Sequence, residues 1–249
     1  MDVAKQSSQW IDLGADKDIY LTRVDWMADS QTLSYQIMPR DQQTLKLKAY
    51  NLRKTTQQTL LAETSTTWVN LNDDLHFLAD NKHFIWASER DGYKHLYLYK
   101  TNGELVKQLT QGKWVVNNIE AVNEAKQLIY FSGRKDTPTE NHLYSVSLKD
   151  GAIERISQRA GTHSISFSQD ASIYVDNYST TNTPPQVSLH RADGTQITWL
   201  SENNIDENHP RFAYQNQWVK PEIASFKAKD GTELYYRLYK PANLQEKHP

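Results

Sequence analysis

Four groups of side chains in this sequence are of types that could do chemistry. Asn72, Asp73 and Asp74, with Asp80 close by, offer oxygen ligands to a hard cation such as calcium. They lack the alternating ligands and the closing Glu of a calcium loop, and acidic residues are common in turns, so no metal site is expected. Glu89, Arg90 and Asp91 could bind the charge of a ligand, but they run straight into Gly92, and a local ion pair or capped turn is the plainer account. The eight histidines contain no H-E-x-x-H, and His95, set between Tyr93 and Tyr97 at the start of a strand, reads as a hydrogen-bonded structural residue. None of the nine glycines forms the G-x-S-x-G turn that presents a catalytic serine. With no cysteine there is no thiol nucleophile, disulfide or Cys-based zinc site, and either redox compartment suits the chain. No catalytic residue and no cofactor is therefore expected within these residues. The 7 Trp and 14 Tyr could form a stacking platform, yet their spread over the whole chain points to packing between sheets.

Composition narrows the classes further. Lys plus Arg is 28 against 30 for Asp plus Glu, with both signs interspersed, so no footprint for nucleic acid or an anionic membrane is visible. No apolar run approaches the roughly 20 residues of a membrane helix, and the first residues lack the apolar core of a signal peptide.

The elements that must position these residues are short strands. Residues 19–27, 32–38, 45–52 and 59–63 form one set of four, rich in Leu, Tyr, Ile and Val and broken by polar clusters. Three further sets follow: 69–78, 84–87, 96–99 and 105–109; then 119–122, 128–131, 143–148 and 153–156; then 164–167, 173–175, 187–190 and 197–200. Equivalent third strands start about 51, 47 and 44 residues apart, the period of propeller blades. Asn102-Gly103, Asp150-Gly151 and Asp193-Gly194 stand before the fourth strand of successive sets, and each pair suits a type I′ hairpin turn with positive φ at both centres. A two-sheet sandwich also has many short strands, but it does not require the same turn in the same slot.

The sequence thus predicts an all-β fold: a partial β-propeller of about four four-stranded antiparallel blades, then a terminal β-hairpin around Asp230-Gly231. Residues 1–14 are expected to hold the last strand of an incomplete blade, 15–201 the four blades, 202–221 a polar linker or short helix, and 222–249 the start of a second domain that ends in a charged loop at 243–249. Exposed strand edges and blade faces at such boundaries predict concentration-dependent self-association, which a clean monomer in sedimentation at high concentration would contradict.

Several strings in this pattern carry a resemblance. SERDGYKHLYLY with LTQGKWVV, DIYLTRVDW, TTWVNLNDDLHFL, TPPQVSLHRADG and DGTELYYRLYKPANL resemble the bacterial dipeptidyl peptidase IV proteins of the prolyl oligopeptidase family, from residue 10 to residue 249. The resemblance implies a serine exopeptidase that releases X-Pro or X-Ala dipeptides, with a propeller set over an α/β-hydrolase domain and peptide substrate held between them. It implies that this chain is the second half of that propeller plus the first hairpin of the hydrolase domain. The serine elbow, its Asp and His would then follow residue 249, and the glutamates that grip the substrate ammonium would precede residue 1, so the chain alone would not cleave. A bacterial periplasmic or envelope location is implied in the same way.

The resemblance also places Leu71 and Asn72 nearest the peptide, in the loop that helps line the pocket. Some relatives have an aromatic and a basic residue at these positions, so contact here would be apolar and weakly polar. An ordinary connecting loop is the alternative for 68–74, and a non-catalytic binding or assembly module is the alternative for the propeller as a whole.

Overall fold

The computed structural model describes residues 6–71 and 73–241. Two compact units divide after Gly112. In the first unit, β1 (Ile19–Trp26), β2 (Thr32–Pro39), β3 (Thr44–Asn51) and β4 (Thr56–Thr64) form one antiparallel sheet in chain order. A second sheet holds β5 (Leu75–Phe77), β6 (His83–Ser88), β7 (His95–Lys100) and β8 (Leu105–Gln108), also in chain order. The second unit holds β9 (Val116–Asn123), β10 (Leu128–Gly133), β11 (His142–Ser147) and β12 (Ile153–Arg155), then β13 (Thr162–Phe167), β14 (Ile173–Ser179), β15 (Gln186–Arg191) and β16 (Gln196–Ser201). After them come a 3-10 helix at Phe212–Gln217 and a hairpin of β17 (Glu222–Lys227) and β18 (Glu233–Leu238). Each four-stranded sheet is the up-and-down meander expected of a propeller blade.

The middle strands β6, β7, β10 and β11 are buried on both faces, whereas β14 and β15 alternate. The β7 sequence HLYLYK and the β11 sequence HLYSVS are buried over their first five residues. In the first unit Met38, Leu45, Leu47 and Leu60 of one sheet meet Phe84, Trp86, Tyr97 and Tyr99 of the next in a single cluster. Burying each such side chain stabilises by about 1.5–3 kcal/mol. In the second unit Tyr130, Leu143 and Ile156 meet Ile165, Tyr174 and Ala192. Tyrosine dominates this packing more than tryptophan does. Trp86 is fully buried, whereas Trp10, Trp26, Trp68 and Trp218 are exposed, so the expectation that tryptophans serve as inter-sheet packing holds for only part of the set.

The turns differ in type from the I′ turns suggested by the sequence. Gly103, Gly151 and Gly194 have positive φ, but Asn102, Asp150 and Asp193 do not. Each of these three side chains instead accepts the backbone N–H two residues on, from Glu104, Ala152 and Thr195. That bond favours Asn or Asp at an ordinary φ, and only the following glycine enters the left-handed region. Gly103 and Gly194 are held to glycine by space as well. A Cβ at Gly103 would lie 2.4 Å from the Leu60 carbonyl oxygen of β4, and one at Gly194 would lie 2.9 Å from that of Ile156, just past β12. Within each unit, the turn before the fourth strand of the second sheet therefore presses on the end of the sheet before it.

Two further segments depart from simple strand reading. Residues 10–14 pair with no strand among the described residues, yet Ile11 and Leu13 pack on Tyr35, Ile37 and Tyr50. Of the run 69–78 only Leu75–Phe77 is strand, because the residues before it form a loop whose side chains are used elsewhere. Pairing of third with fourth strand is irregular in three of the four sheets, with breaks in register at Leu47/Lys48, at Leu98/Tyr99 and at two places between β15 and β16.

Candidate functional site

In the first unit, the end of β4, the loop to β5, the end of β6 and the β6–β7 turn enclose a cleft of about 600 Å³. Its floor is a charge network. Glu63, at the end of β4, is nearly buried and accepts hydrogen bonds from the Trp86 indole at 3.0 Å and the Ser88 hydroxyl at 2.9 Å, and it is ion-paired with Arg90. The Arg90 guanidinium also donates to Ser88 Oγ at 3.0 Å and to the Tyr99 hydroxyl, and it lies 4.4 Å from the Tyr97 ring centre. Burial works against the Arg90 charge, but Glu63 and the Tyr99 hydroxyl outweigh it and hold its pKa above the ordinary value. A carboxylate with three donors around it, one of them a cation, is a satisfied structural group.

The turn that follows is set by the same residues. Ser88 Oγ accepts from the Arg90 N–H at 3.2 Å, and the Gly92 N–H closes on the Glu89 carbonyl at 2.8 Å with Gly92 at φ +86°. Asp91 accepts from the Tyr97 hydroxyl at 2.6 Å and from Gln108 at 2.9 Å. Burial, with Asp91 second, raises the Tyr97 pKa far above the ordinary phenol range. The sequence suggested a local ion pair or a capped turn at Glu89, Arg90 and Asp91, and the turn is capped by Ser88, but the ion pair that Arg90 makes is not local. The structure instead ties Arg90 to a residue 27 positions earlier, a partner that no local spacing discloses.

The opposite wall is the loop 65–71. Its backbone is pinned where Ser65 N–H and Val69 N–H donate to the Gln43 and Gln42 carbonyls of the β2–β3 turn, at 3.0 and 2.8 Å. Trp68 and Leu71 stand out from it, both exposed and both lining the cleft. Leu71 is thus on the cleft wall, while Asn72, the other residue singled out for substrate contact, lies outside the described residues. Asp73 and Asp74 do not converge on a common point as metal ligands would. Asp73 pairs with Arg23 of β1, which lowers its pKa mainly through that side-chain hydrogen bond, and Asp74 pairs with Lys94. Among the described residues no cluster of three His, Asp or Glu could hold a metal ion.

His95 is buried behind the cleft. Its Nδ1 meets the Thr110 hydroxyl at 3.1 Å and its Nε2 the Gly112 carbonyl at 2.8 Å. The Gly112 carbonyl can only accept, so Nε2 donates to it and Nδ1 accepts from the Thr110 hydroxyl, whose oxygen also takes the Leu96 N–H at 2.9 Å. The side chains that sequence reasoning missed are Glu63 and Trp68. Glu63 follows the buried pair Leu60 and Leu61 near the end of β4, and Trp68 is a large apolar side chain exposed within the loop, and these were the signals available.

Comparison with known proteins places the chain. The family profile for the dipeptidyl peptidase IV (DPP IV) N-terminal region matches residues 1–185. Dipeptidyl peptidase 8 of Homo sapiens is 33% identical over 230 residues, covering 75% of this chain and 25% of that protein. Dipeptidyl peptidase 4 of Trichophyton equinum is 23% identical over 245 residues, covering 94% of this chain and 31% of that protein. The chain thus spans about a third or less of the curated relatives it matches. The crystal structure of Porphyromonas gingivalis dipeptidyl peptidase 4 superposes with a TM-score of 0.86 at 23% identity, covering 98% of this chain and 34% of that one, a likeness of fold. With its all-β meanders and a profile match over most of its length, this chain belongs to the dipeptidyl peptidase IV N-terminal region family.

Proposed function

We propose that this chain is the propeller portion of a dipeptidyl peptidase IV-like serine exopeptidase that releases N-terminal X-Pro or X-Ala dipeptides. In this reading it shapes and gates the substrate cavity and does not cleave on its own. The observation that carries the reading is the cleft of the first unit in a chain of this family, with Trp68 and Leu71 exposed on a loop whose backbone is pinned at Ser65 and Val69. A rigid scaffold presenting exposed side chains from a loop is the usual construction of a binding wall. Leu71 and Asn72 are assigned as peptide-contacting residues, apolar and weakly polar. The hairpin β17–β18 is assigned to the opening of the hydrolase domain, and its exposed Ile223, Phe226, Leu234 and Tyr235 suit a strand pair that continues into a larger sheet.

The test is hydrolysis of a Gly-Pro anilide by the full-length parent of this chain, with the whole propeller and a hydrolase domain with an intact serine triad. Cleavage is expected there and not with residues 1–249 alone. Leu71→Asp is expected to raise KM more than it lowers kcat, because a wall residue contributes to binding in ground and transition states alike. A triad-bearing protein that leaves the anilide intact would overturn the reading.

A further inference from the structure

The charges around the cleft do not cancel evenly. Arg90 is paired with Glu63, and Lys94 with Asp74. Glu89, on the rim, has no cationic partner among the described residues; its carboxylate takes the Asn70 amide at 2.6 Å through one oxygen. The Asn70 amide oxygen in turn accepts the Trp68 indole N–H at 3.1 Å. This chain of bonds has one direction only. Flipping the amide would set N–H against N–H at Trp68 and oxygen against carboxylate at Glu89, so Asn70 fixes the indole and the carboxylate together.

An exposed indole beside a carboxylate with an open oxygen matches one ligand chemistry. The ring face attracts a cation and covers an aliphatic stem, and the carboxylate takes the hydrogen bonds of the charged head. A guanidinium fits better than an ammonium, since its plane stacks on the ring while its edge donates. We propose that Trp68 and Glu89, held in place by Asn70, form a subsite for a basic side chain of a bound peptide, arginine foremost. The proposal rests on the reading that this cleft receives peptide, and it adds which side chain the cleft selects. Asn70 is a positioning residue; Trp68 and Glu89 make the contact.

The test is a titration of residues 1–249 labelled with 15N-tryptophan, reading the Trp68 indole resonance identified by its loss in Trp68→Phe. The probes are N-acetyl-arginine amide and N-acetyl-citrulline amide, which share a shape and differ in charge. A saturable shift with the arginine probe is expected, with the citrulline probe about fivefold weaker. Glu89→Gln should bring arginine down to the citrulline level and leave citrulline unchanged. Absence of a saturable shift with arginine, equal affinity for the two probes, or an arginine preference that survives Glu89→Gln would each overturn the subsite. Should Glu89→Gln fail to fold, the ratio of the two probes on the unaltered chain decides alone. The readout is binding, not cleavage, so an inactive triad-bearing parent would leave this result standing, and failure here would leave the peptidase reading to its own assay.

Discussion

The second and third blades are built on one plan and differ where it matters for chemistry. In β5–β8, His95 and Leu96 both bond to the Thr110 hydroxyl; in β9–β12, His142 and Leu143 both bond to that of Ser157, at 2.9 and 3.0 Å. Leu109 and Ile156 close the fourth strands on the carbonyls of Leu96 and Leu143 at 2.8 Å in both cases. At the same register of both blades an aromatic pair stands across the two middle strands, Trp86 opposite Tyr97 and Phe131 opposite Tyr144. Tyr97 and Tyr144 donate to Asp91 and Asp136 in the turn above them. The rims then part. The second blade places Arg90 on a nearly buried Glu63 from another sheet and opens a cleft beside it, whereas the third pairs Arg155 with a half-exposed Asp136 of its own sheet. The repeated interior is scaffold, and individuality resides in the rim turns.

That equivalence can be broken most directly in the core. Leu96→Ala and Leu143→Ala each empty a site with no solvent exposure, and each is expected to cost about 3 kcal/mol in urea unfolding. Costs differing by more than half of that would show that the two blades are not interchangeable in packing. The rims should separate next. Glu63→Gln leaves the Arg90 charge uncompensated and is expected to cost about 2 kcal/mol, while Asp136→Asn, at a solvent-screened pair, should cost under about 1 kcal/mol in the same measurement. Equal losses would mean that burial of Glu63 does not set the difference.

The smallest effect concerns the histidines. Burial holds the His142 imidazole below the ordinary 6.5, against Glu140, whose hydrogen bond pulls the other way. Between that lowered value and 6.5 the unfolded chain binds more protons than the folded one, so stability is fully present above 6.5 and is lost as pH falls toward the folded value. Urea midpoints of the second unit should therefore drop from about pH 7.5 to about pH 5.5, and His142→Gln should flatten that slope. A slope unchanged in His142→Gln would assign it to other groups. Burial also lifts the Tyr144 hydroxyl, with Asp136 behind it, to about 12, so this ring stays neutral throughout that range.

Much of the scaffold was legible in the sequence because its determinants are local. The spacing of Asn102-Gly103, Asp150-Gly151 and Asp193-Gly194 marked the hairpins, although the side chain of the Asn or Asp, and not its backbone, turned out to be its contribution. The site was less legible because its bonds are long-range. Asn70 falls both in the run 69–78 read as a strand and in the loop that the resemblance suggested, and only its bond to Glu89 in the β6–β7 turn shows what its side chain does. Glu63 looks like a solvent-facing strand residue until Trp86, Ser88 and Arg90 close over it.

The irregular pairing of the fourth strands bears on how this protein behaves in a crowded solution. An outermost strand invites a foreign strand only if it offers an unbroken row of backbone groups. Here β4, β8 and β16 follow a register break, and β12 is three residues long, so none of the fourth strands ends its sheet in a long flat template. Bulged and shortened margins of this kind resist fibril-like stacking. Exposed apolar side chains such as Leu21, Val24 and Trp26 on β1 offer a contact of another kind, for which reversible, dilution-sensitive clustering is the expected outcome.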